Sequence, residues 1–453
     1  MSEMRKTLVF CGVAIILAAL AVLTAPRRVT PGAFLDQGKP FFPEFTDPNA
    51  ARTLEVIDWD DQTGSAVPFK VTFEGGIWTI PSHHNYPADA KDRLARTAAG
   101  VLEIKRDDFR TDNVFDHEMC GVVDPLGDET VGIKGRGERV TIKGENDVVL
   151  ADLIIGKPVE GREGMRFVRI PGQKRVYTSR LNLDISTKFG DWIESDLLEA
   201  NKDDIDNIIL RDYSINERSG KVDERDVVVL EKRGEWTTPG LRKDEEIVKP
   251  KLDDLLSALD ELKIEEVRPK PEGLTASLTR ATDKLTINTD DVVSLQSKGY
   301  FFTKDGRLLS NEGEAQVRTS DGLVYALRFG EVVYGTELAG TAGTSAGGQG
   351  AGGPGENRYL FVTAAFDRSA LSEPPRAPNT DFLSKPDSVW TNEDQSNKEI
   401  YDAHQRWVTQ VKNAQSRAEK LNARFAKWYY VVSGANFEKL RPAKSDLIQK
   451  KKG

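Results

Sequence analysis

The sequence predicts an α+β protein: an N-terminal transmembrane helix, two duplicated units of antiparallel sheet with a packed helix, and a long C-terminal helix. Three observations predict this. Thr7 to Ala25 is an unbroken run of uncharged, mostly apolar residues. A Gly-x-Trp-Thr-x-Pro motif recurs 158 residues apart, with a helical stripe in phase behind each copy. Apolar and small residues from Ile400 to Trp428 keep a 4-3-4-3 spacing.

The first run sets the topology. As a helix, Thr7 to Ala25 would rise roughly 28 Å at ~1.5 Å per residue, close to the hydrocarbon thickness of a bilayer. Arg5 and Lys6 precede it and Arg27 and Arg28 follow it. The two basic pairs partly cancel, and the N-terminal amine tips the balance toward a cytoplasmic N-terminus and an extracytoplasmic, periplasm-like body. A cleaved signal peptide shares the charged start and apolar stretch. The run is long for a signal core, however, and Leu23 stands where a small residue is wanted before Ala25-Pro26. Residues 1–25 therefore read as a single-pass anchor in the inner or cytoplasmic membrane. Residues 26–53 carry prolines and the cluster Phe41-Phe42-Pro43-Glu44-Phe45, which reads as a stalk that docks its phenylalanines on the body.

Two units follow, 54–204 and 205–368. Gly76-Ile77-Trp78-Thr79-Ile80-Pro81 aligns with Gly234-Glu235-Trp236-Thr237-Thr238-Pro239. The same offset carries Leu94, Ala98, Val101 and Ile104 onto Leu252, Leu256, Leu259 and Leu262, one stripe of a helix in each copy. Pro87 suits the opening turn of the first of these helices, where its missing N–H costs nothing. Strand-rich sequence comes next in each unit. Arg139 to Lys143, Val148 to Ile155 and Met165 to Ile170 are β-prone in the first, with Gly144 to Asp147 and Gly161 to Gly164 as turns. Ala315 to Arg318, Val324 to Phe329 and Tyr359 to Thr363 are their equivalents in the second. Strands joined by such short turns pair antiparallel, with the helix on one face.

Residues 340–355 are glycine-rich with Ala, Ser and Thr, lack GxxxxGK[ST] and any Lys, and read as a loop rather than a phosphate cradle. A linker spans 369–394, and 395–453 form the C-terminal helix and tail. The heptad seam Ile400, His404, Trp407, Val411, Ala414, Ala418, Leu421, Phe425, Trp428 fits either a helix lying on the body or a partner-binding coiled coil. Trp428 to Val432 then reads as a short strand, with Ser433 capping a last helical turn through Phe437 and Leu440.

Composition narrows function. A net charge of -9 and the absence of a basic stripe with interleaved aromatics exclude a nucleic-acid binder. The two cysteines are Cys11, in the apolar run, and Cys120, so the body has no internal disulfide and rests on packed cores.

Candidate chemistry centres on His83, His84, His117 and Cys120, the right donors for zinc in an unhelpful arrangement. Adjacent His83 and His84 point opposite ways on a strand, and His117-Glu118-Met119-Cys120 matches no common ligand spacing. Ser82 beside His83 is not a triad, and there is no G-x-S-x-G elbow. Acidic pairs such as Asp60-Asp61 read as solvated surface, and Gly135-x-Gly137 is too short for a dinucleotide fingerprint. No catalytic, cofactor or metal site is assigned from sequence.

With Gly-x-Trp-x-Ile-Pro, Tyr86-Pro87-Ala88-Asp89, Gly121-Val122-Val123-Asp124-Pro125, Leu153 to Lys157, Phe167 to Gly172 and Arg175-Val176-Tyr177, the chain resembles the bacterial domain of unknown function 4340 family. Its layout, including Arg424 to Tyr430, is similar to long planctomycete-type members. The resemblance implies a membrane-bound auxiliary component of an ABC-type export system and supplies no catalytic residues. The expected function is therefore a non-enzymatic, membrane-anchored accessory or scaffold protein in a membrane complex. The alternatives are a cell-envelope ligand-binding module, with Trp78 to Tyr86 as its surface, and a zinc-dependent hydrolase.

Overall fold

The computed structural model describes residues 12–17, 35–61, 63–127, 134–194, 196–216, 221–279, 287–303, 306–333, 357–371, 376 and 379–451. Most of the apolar run Thr7 to Ala25 and the whole glycine-rich stretch 340–355 lie outside them. Residues 12–17 are helical, and their apolar side chains are exposed. Among the described residues no helix is long and apolar enough to cross a membrane.

Two antiparallel sheets carry the body. In the first, the spatial order is Tyr86–Pro87, Ile77–Ile80, Ser65–Glu74, Thr53–Asp60, Glu138–Lys143, Val149–Pro158, Met165–Arg169, Val176–Arg180, Asp108–Thr111. In the second it is Glu235–Thr237, Lys221–Arg233, Ile205–Asn216, Glu314–Thr319, Leu323–Val333, Asn357–Phe366, Trp428–Val432, Glu266–Pro269. Read from Ile77–Ile80 and Glu235–Thr237, the two orders correspond strand for strand. The sequence offset of the repeat also carries Asp108–Thr111 onto Glu266–Pro269 and helix Lys91–Leu102 onto helix Lys249–Asp260. Both stripes face inward: Leu94, Ala98, Val101 and Ile104 are buried, as are Leu252, Leu256, Leu259 and Leu262. One face of each sheet needs cover, and each helix supplies an apolar stripe wide enough to provide it.

Two features depart from the sequence reading, the place of Pro87 and the extent of the second sheet, and the structure makes two others specific, the stalk and the heptad seam. Pro87 does not open a helix. Tyr86 and Pro87 pair with Ile80 and Thr79 as an edge strand, where a proline costs no ladder bond. The Asp89 N–H then donates to Trp192 O (2.8 Å) before the helix starts at Lys91.

The described part of the stalk is built into the first unit. Phe41 and Phe45 are buried, and Phe41 N–H donates to Ile104 O (3.0 Å). The Phe41 ring meets Tyr177 edge-on at 5.4 Å, with the Arg106 guanidinium 5.0 Å above it. This is the docking expected of the phenylalanine cluster, and contacts begin before it, where Gln37 Nε2 donates to Asp108 and Gly38 N–H donates to Arg106 O.

The second sheet does not stop at residue 368. Its seventh strand is Trp428–Val432, which lies between Asn357–Phe366 and Glu266–Pro269 and is buried at every residue. The long helix Asn392–Phe425 is thus part of a connection between two neighbouring strands. It starts on a capping box, Thr391 with Asp394, reinforced by the Lys385–Asp394 ion pair (2.7 Å).

The heptad seam is covered by the chain itself. Trp407, Ala414, Ala418, Leu421 and Phe425 are the buried stripe of this helix. Asn422 Oδ1 accepts from Ala364 N–H (2.8 Å), tying the helix to strand Asn357–Phe366. The small side chains of Ala414 and Ala418 allow close packing on the body, so from Trp407 onward the seam is not free for a partner helix. Past the strand, Ser433 caps helix Gly434–Leu440 as expected, and Phe437 packs edge-on against Phe329 at 5.2 Å.

The two units share one continuous hydrophobic core. At their junction Tyr86 meets Trp428 at 5.1 Å between ring centroids. Arg424 donates to the carbonyls of Asp196 (3.0 Å) and Leu197 (2.9 Å) and pairs with Glu199 (2.9 Å). One buried amine also braces this region. Lys270 Nζ donates to Phe425 O (2.8 Å) and Trp428 O (2.6 Å) and lies 3.9 Å from the centroid of the Phe361 ring. It satisfies carbonyls where the long helix ends and the seventh strand begins.

Candidate functional site

The histidines predicted as candidates do not assemble. His83 sits on the turn Pro81–His83 and is 1% exposed, stacked on Phe189 at 4.7 Å and edge-on to Phe69 at 6.0 Å. His84 takes a left-handed conformation and is exposed, so the adjacent pair diverges at a turn and not by the strand alternation its sequence suggested. His117 and Cys120 belong to a short helix seated on a face of the first sheet, with Cys120 packed against Val122, Ile154 and Val176. There His117 Nε2–H donates to Lys174 O (2.8 Å). Among the described residues no three His, Cys, Asp or Glu side chains gather as a metal site.

Ser82 Oγ lies 3.1 Å from His83 Nδ1, the spacing of a nucleophile and base. A working dyad needs its imidazole oriented and able to take a proton. His83 Nε2 is buried with no hydrogen-bond partner among the described residues. Burial pushes its pKa from 6.5 down to about 4, and the neighbouring His84 and Arg268 push the same way. His83 is therefore an aromatic-packed core group, not a base poised near neutrality.

The sign of its effect on stability follows. The unfolded chain takes up a proton at His83 below pH 6.5, and the folded chain does not until about pH 4. His83 thus costs stability progressively as pH falls from 6.5 to about 4, on the order of 2–3 kcal/mol in all. His83→Phe should flatten that part of the stability–pH curve relative to the parent. Unfolding by urea at pH 7, 5.5 and 4 checks this, and parallel curves for the two proteins would refute it.

Trp78 and Trp236 are partly buried against the common core, and Trp78 lies 5.1 Å from Phe73 with Arg52 above that ring. Both tryptophans are packing residues of equivalent strands.

The larger concavity lies at the other edge. The sheet face away from helix Lys91–Leu102 carries a small second core of Cys120, Val122, Ile154 and Val176, with Phe167 packed against it. The turn from His117 to Val122 sits directly on the sheet because Gly137 and Gly156 have no side chain beneath it. A Cβ on Gly137 would lie 2.6 Å from Gly121 O. The cover is incomplete, and an open cleft of about 970 Å³ remains between this turn, strand Asp108–Thr111 and the end of strand Val149–Pro158. Phe109, Met119, Phe167 and Thr178 form apolar walls and floor, and Arg110 and Lys157 stand at the sides. A second hollow of about 960 Å³ lies across Met119 and Lys157. On the ridge beside it Phe115 is 91% exposed and Met119 57%.

Electrostatics in the cleft are mixed. Arg162 is paired with Asp108 at the rim, and Glu160 adds a carboxylate. Arg110 and Lys157 have no carboxylate partner among the described residues. The Arg110 guanidinium lies 5.8 Å from the Phe167 ring centroid. Cys120 lies behind the cleft. Burial raises its thiol pKa, with Arg110 and Lys157 pulling the other way, so it is inert core rather than a nucleophile.

The sequence reading missed this cleft. Its walls come from five separate segments that only the sheet brings together. The apolar pair Val114-Phe115, held in the polar stretch Asp112 to Glu118, marks the neighbouring hollow and not the cleft itself.

No curated protein and no solved structure matches the chain. Residues 78–277, from the first tryptophan strand through the helix of the second unit, match the family model described as domain of unknown function (DUF4340).

Proposed function

We propose that this chain is a membrane-anchored, extracytoplasmic accessory subunit without catalytic activity of its own, serving a membrane complex of the ABC-type export kind. The observation that carries the reading is the uncharged run Thr7 to Ala25 in front of a body whose two duplicated units are fused through one core. A run of that length and composition partitions into a bilayer. A rigid two-unit body on such an anchor is suited to presenting surface to a neighbour. The export assignment comes from the family resemblance.

In-cell cross-linking of tagged full-length protein, followed by membrane extraction and mass spectrometry, tests it. The expected result is recovery from carbonate-washed membranes with a reproducible integral-membrane partner, and loss of both when residues 7–25 are deleted. Recovery of the full-length chain as a lone species in the soluble fraction would overturn the proposal.

The cleft beside Arg110 favours a second reading, a cell-envelope ligand-binding module, and moves its surface away from Trp78 to Tyr86. A zinc-dependent hydrolase draws no support, because His83 is packed between Phe69 and Phe189 while His117 is bound to Lys174 O in a separate cluster.

A further inference from the structure

The cleft between strand Asp108–Thr111 and the His117–Cys120 turn has the chemistry of a ligand site. At about 970 Å³ it is the size that takes a small organic molecule or a few peptide residues. Its floor and walls are apolar at Phe109, Phe167 and Met119, and this apolar area is exposed although the opposite face of the sheet is fully packed. Two cations border it without a carboxylate to neutralise them among the described residues, Arg110 and Lys157. Thr178, on the floor, is 5% exposed, and its buried hydroxyl has no hydrogen-bond partner among the described residues. An orphaned buried hydroxyl costs roughly 1–3 kcal/mol, which a bound acceptor would recover.

These features select a ligand. An apolar body fits the phenylalanine and methionine walls, and an anionic head fits between the two unneutralised cations. A guanidinium favours a planar, two-oxygen acceptor, so the head is a carboxylate rather than a point anion. Glu160 and Asp108 oppose an anion elsewhere in the cleft, and Asp108 is already committed to Arg162. The head group is thereby confined to the Arg110–Lys157 side.

We propose that this cleft binds an amphipathic carboxylate, with the carboxylate between Arg110 and Lys157, its apolar portion on Phe167 and Met119, and, in a peptide ligand, a backbone carbonyl accepting from the Thr178 hydroxyl. Two sources share that chemistry: an acyl chain with a free acid and the C-terminal carboxylate of a peptide ending in apolar residues. The site stands independently of the membrane-subunit reading.

The test uses the full chain in zwitterionic lipid nanodiscs, titrated calorimetrically against empty nanodiscs. The probes are dodecanoate, the peptide acetyl-Gly-Leu-Phe with a free carboxylate, and the same peptide as its C-terminal amide. Saturable binding of dodecanoate alone assigns the acyl source. Binding of the free-acid peptide, at least tenfold tighter than its amide, assigns the peptide source. In either case the double variant Arg110→Gln, Lys157→Gln should bind at least tenfold more weakly with its melting temperature unchanged, since both side chains are on the surface. Thr178→Val should weaken peptide binding several-fold while leaving the cations in place. Absence of saturable binding by both carboxylates, or equal binding by the double variant, overturns the proposal.

Discussion

A chain ending at Lys427 should fail to fold, because the residues removed include a strand from inside the second sheet. Val431 pairs on one side with Tyr359 and on the other with Glu266, and Tyr430 likewise lies between Leu360 and Val267. Trp428, Tyr429, Tyr430, Val431 and Val432 are all buried. At about 1.5–3 kcal/mol for each large apolar side chain, their burial amounts to roughly 10 kcal/mol, comparable to the whole stability of an ordinary domain. The truncation also removes Leu440 and Leu447 from the core, and strand Ile448–Lys450 from its pairing with Glu245–Ile247. It leaves the Lys270 amine buried without one of its carbonyl acceptors, Trp428 O. Thermal unfolding followed by circular dichroism should show no cooperative transition in the truncated protein. A truncated chain that melts cooperatively within a few degrees of the full-length one would mean that Trp428–Val432 is an adjunct to the sheet, not a member of it. For the same reason, loss of a partner on deleting this tail says nothing about where that partner binds.

The importance of that strand was only half legible. Five consecutive β-prone residues announce a strand, and the offset of the repeat announces a second sheet. Nothing local says that the strand pairs with residues about seventy positions earlier in the chain. The register of a strand is chosen by its neighbours, and here the neighbours are separated from it by a 34-residue helix. Where the signal is local, the sequence reading serves well: the stripes from Leu94 and from Leu252 locate both covering helices, and the glycine-marked turns locate the central hairpins. Where charge masks periodicity, it gives no strand bounds. Lys221–Arg233 is a strand although Asp223, Glu224, Arg225 and Asp226 crowd its first half, because that half projects beyond the core and needs no apolar face.

The heptad seam shows a different limit. Its 4-3-4-3 spacing correctly marks a helix with one buried stripe, but periodicity is blind to what buries it. A strand accepts Ala414 and Ala418 as readily as a facing helix would. The histidines fail for a related reason. Donor identity is readable from sequence and convergence is not, and the fold packs His83 on Phe69 and Phe189 but holds His117 at Lys174 O.

Gly156→Ala should be the most damaging single methyl group in the first unit, because the atoms it would meet have nowhere to go. Its Cβ would lie 2.3 Å from Cys120 O, 2.6 Å from Val122 Cγ1 and 3.0 Å from Gly121 O. The turn above is fixed on three sides: Val122 N–H donates to His117 O (3.0 Å), Val122 O accepts from Arg169 Nε (2.8 Å), and Val123 N–H donates to Gly135 O (3.0 Å). Relief requires either lifting the whole turn off the sheet or breaking one of these bonds. Either way the cost should be about 3 kcal/mol or more, at the upper end for an overpacked site. Lifting the turn would also uncover Cys120, now fully buried, so in a Cys11→Ser background the thiol should gain reactivity toward iodoacetamide along with the fall in urea midpoint. Wild-type stability with an unreactive thiol would mean that the turn is not seated on the sheet as described. Met119 rides on the same turn and walls the cleft, so Gly156→Ala should abolish carboxylate binding through displacement of the wall. Arg110→Gln should weaken it with stability intact. The two variants together separate a site that depends on the fold from one that depends on charge.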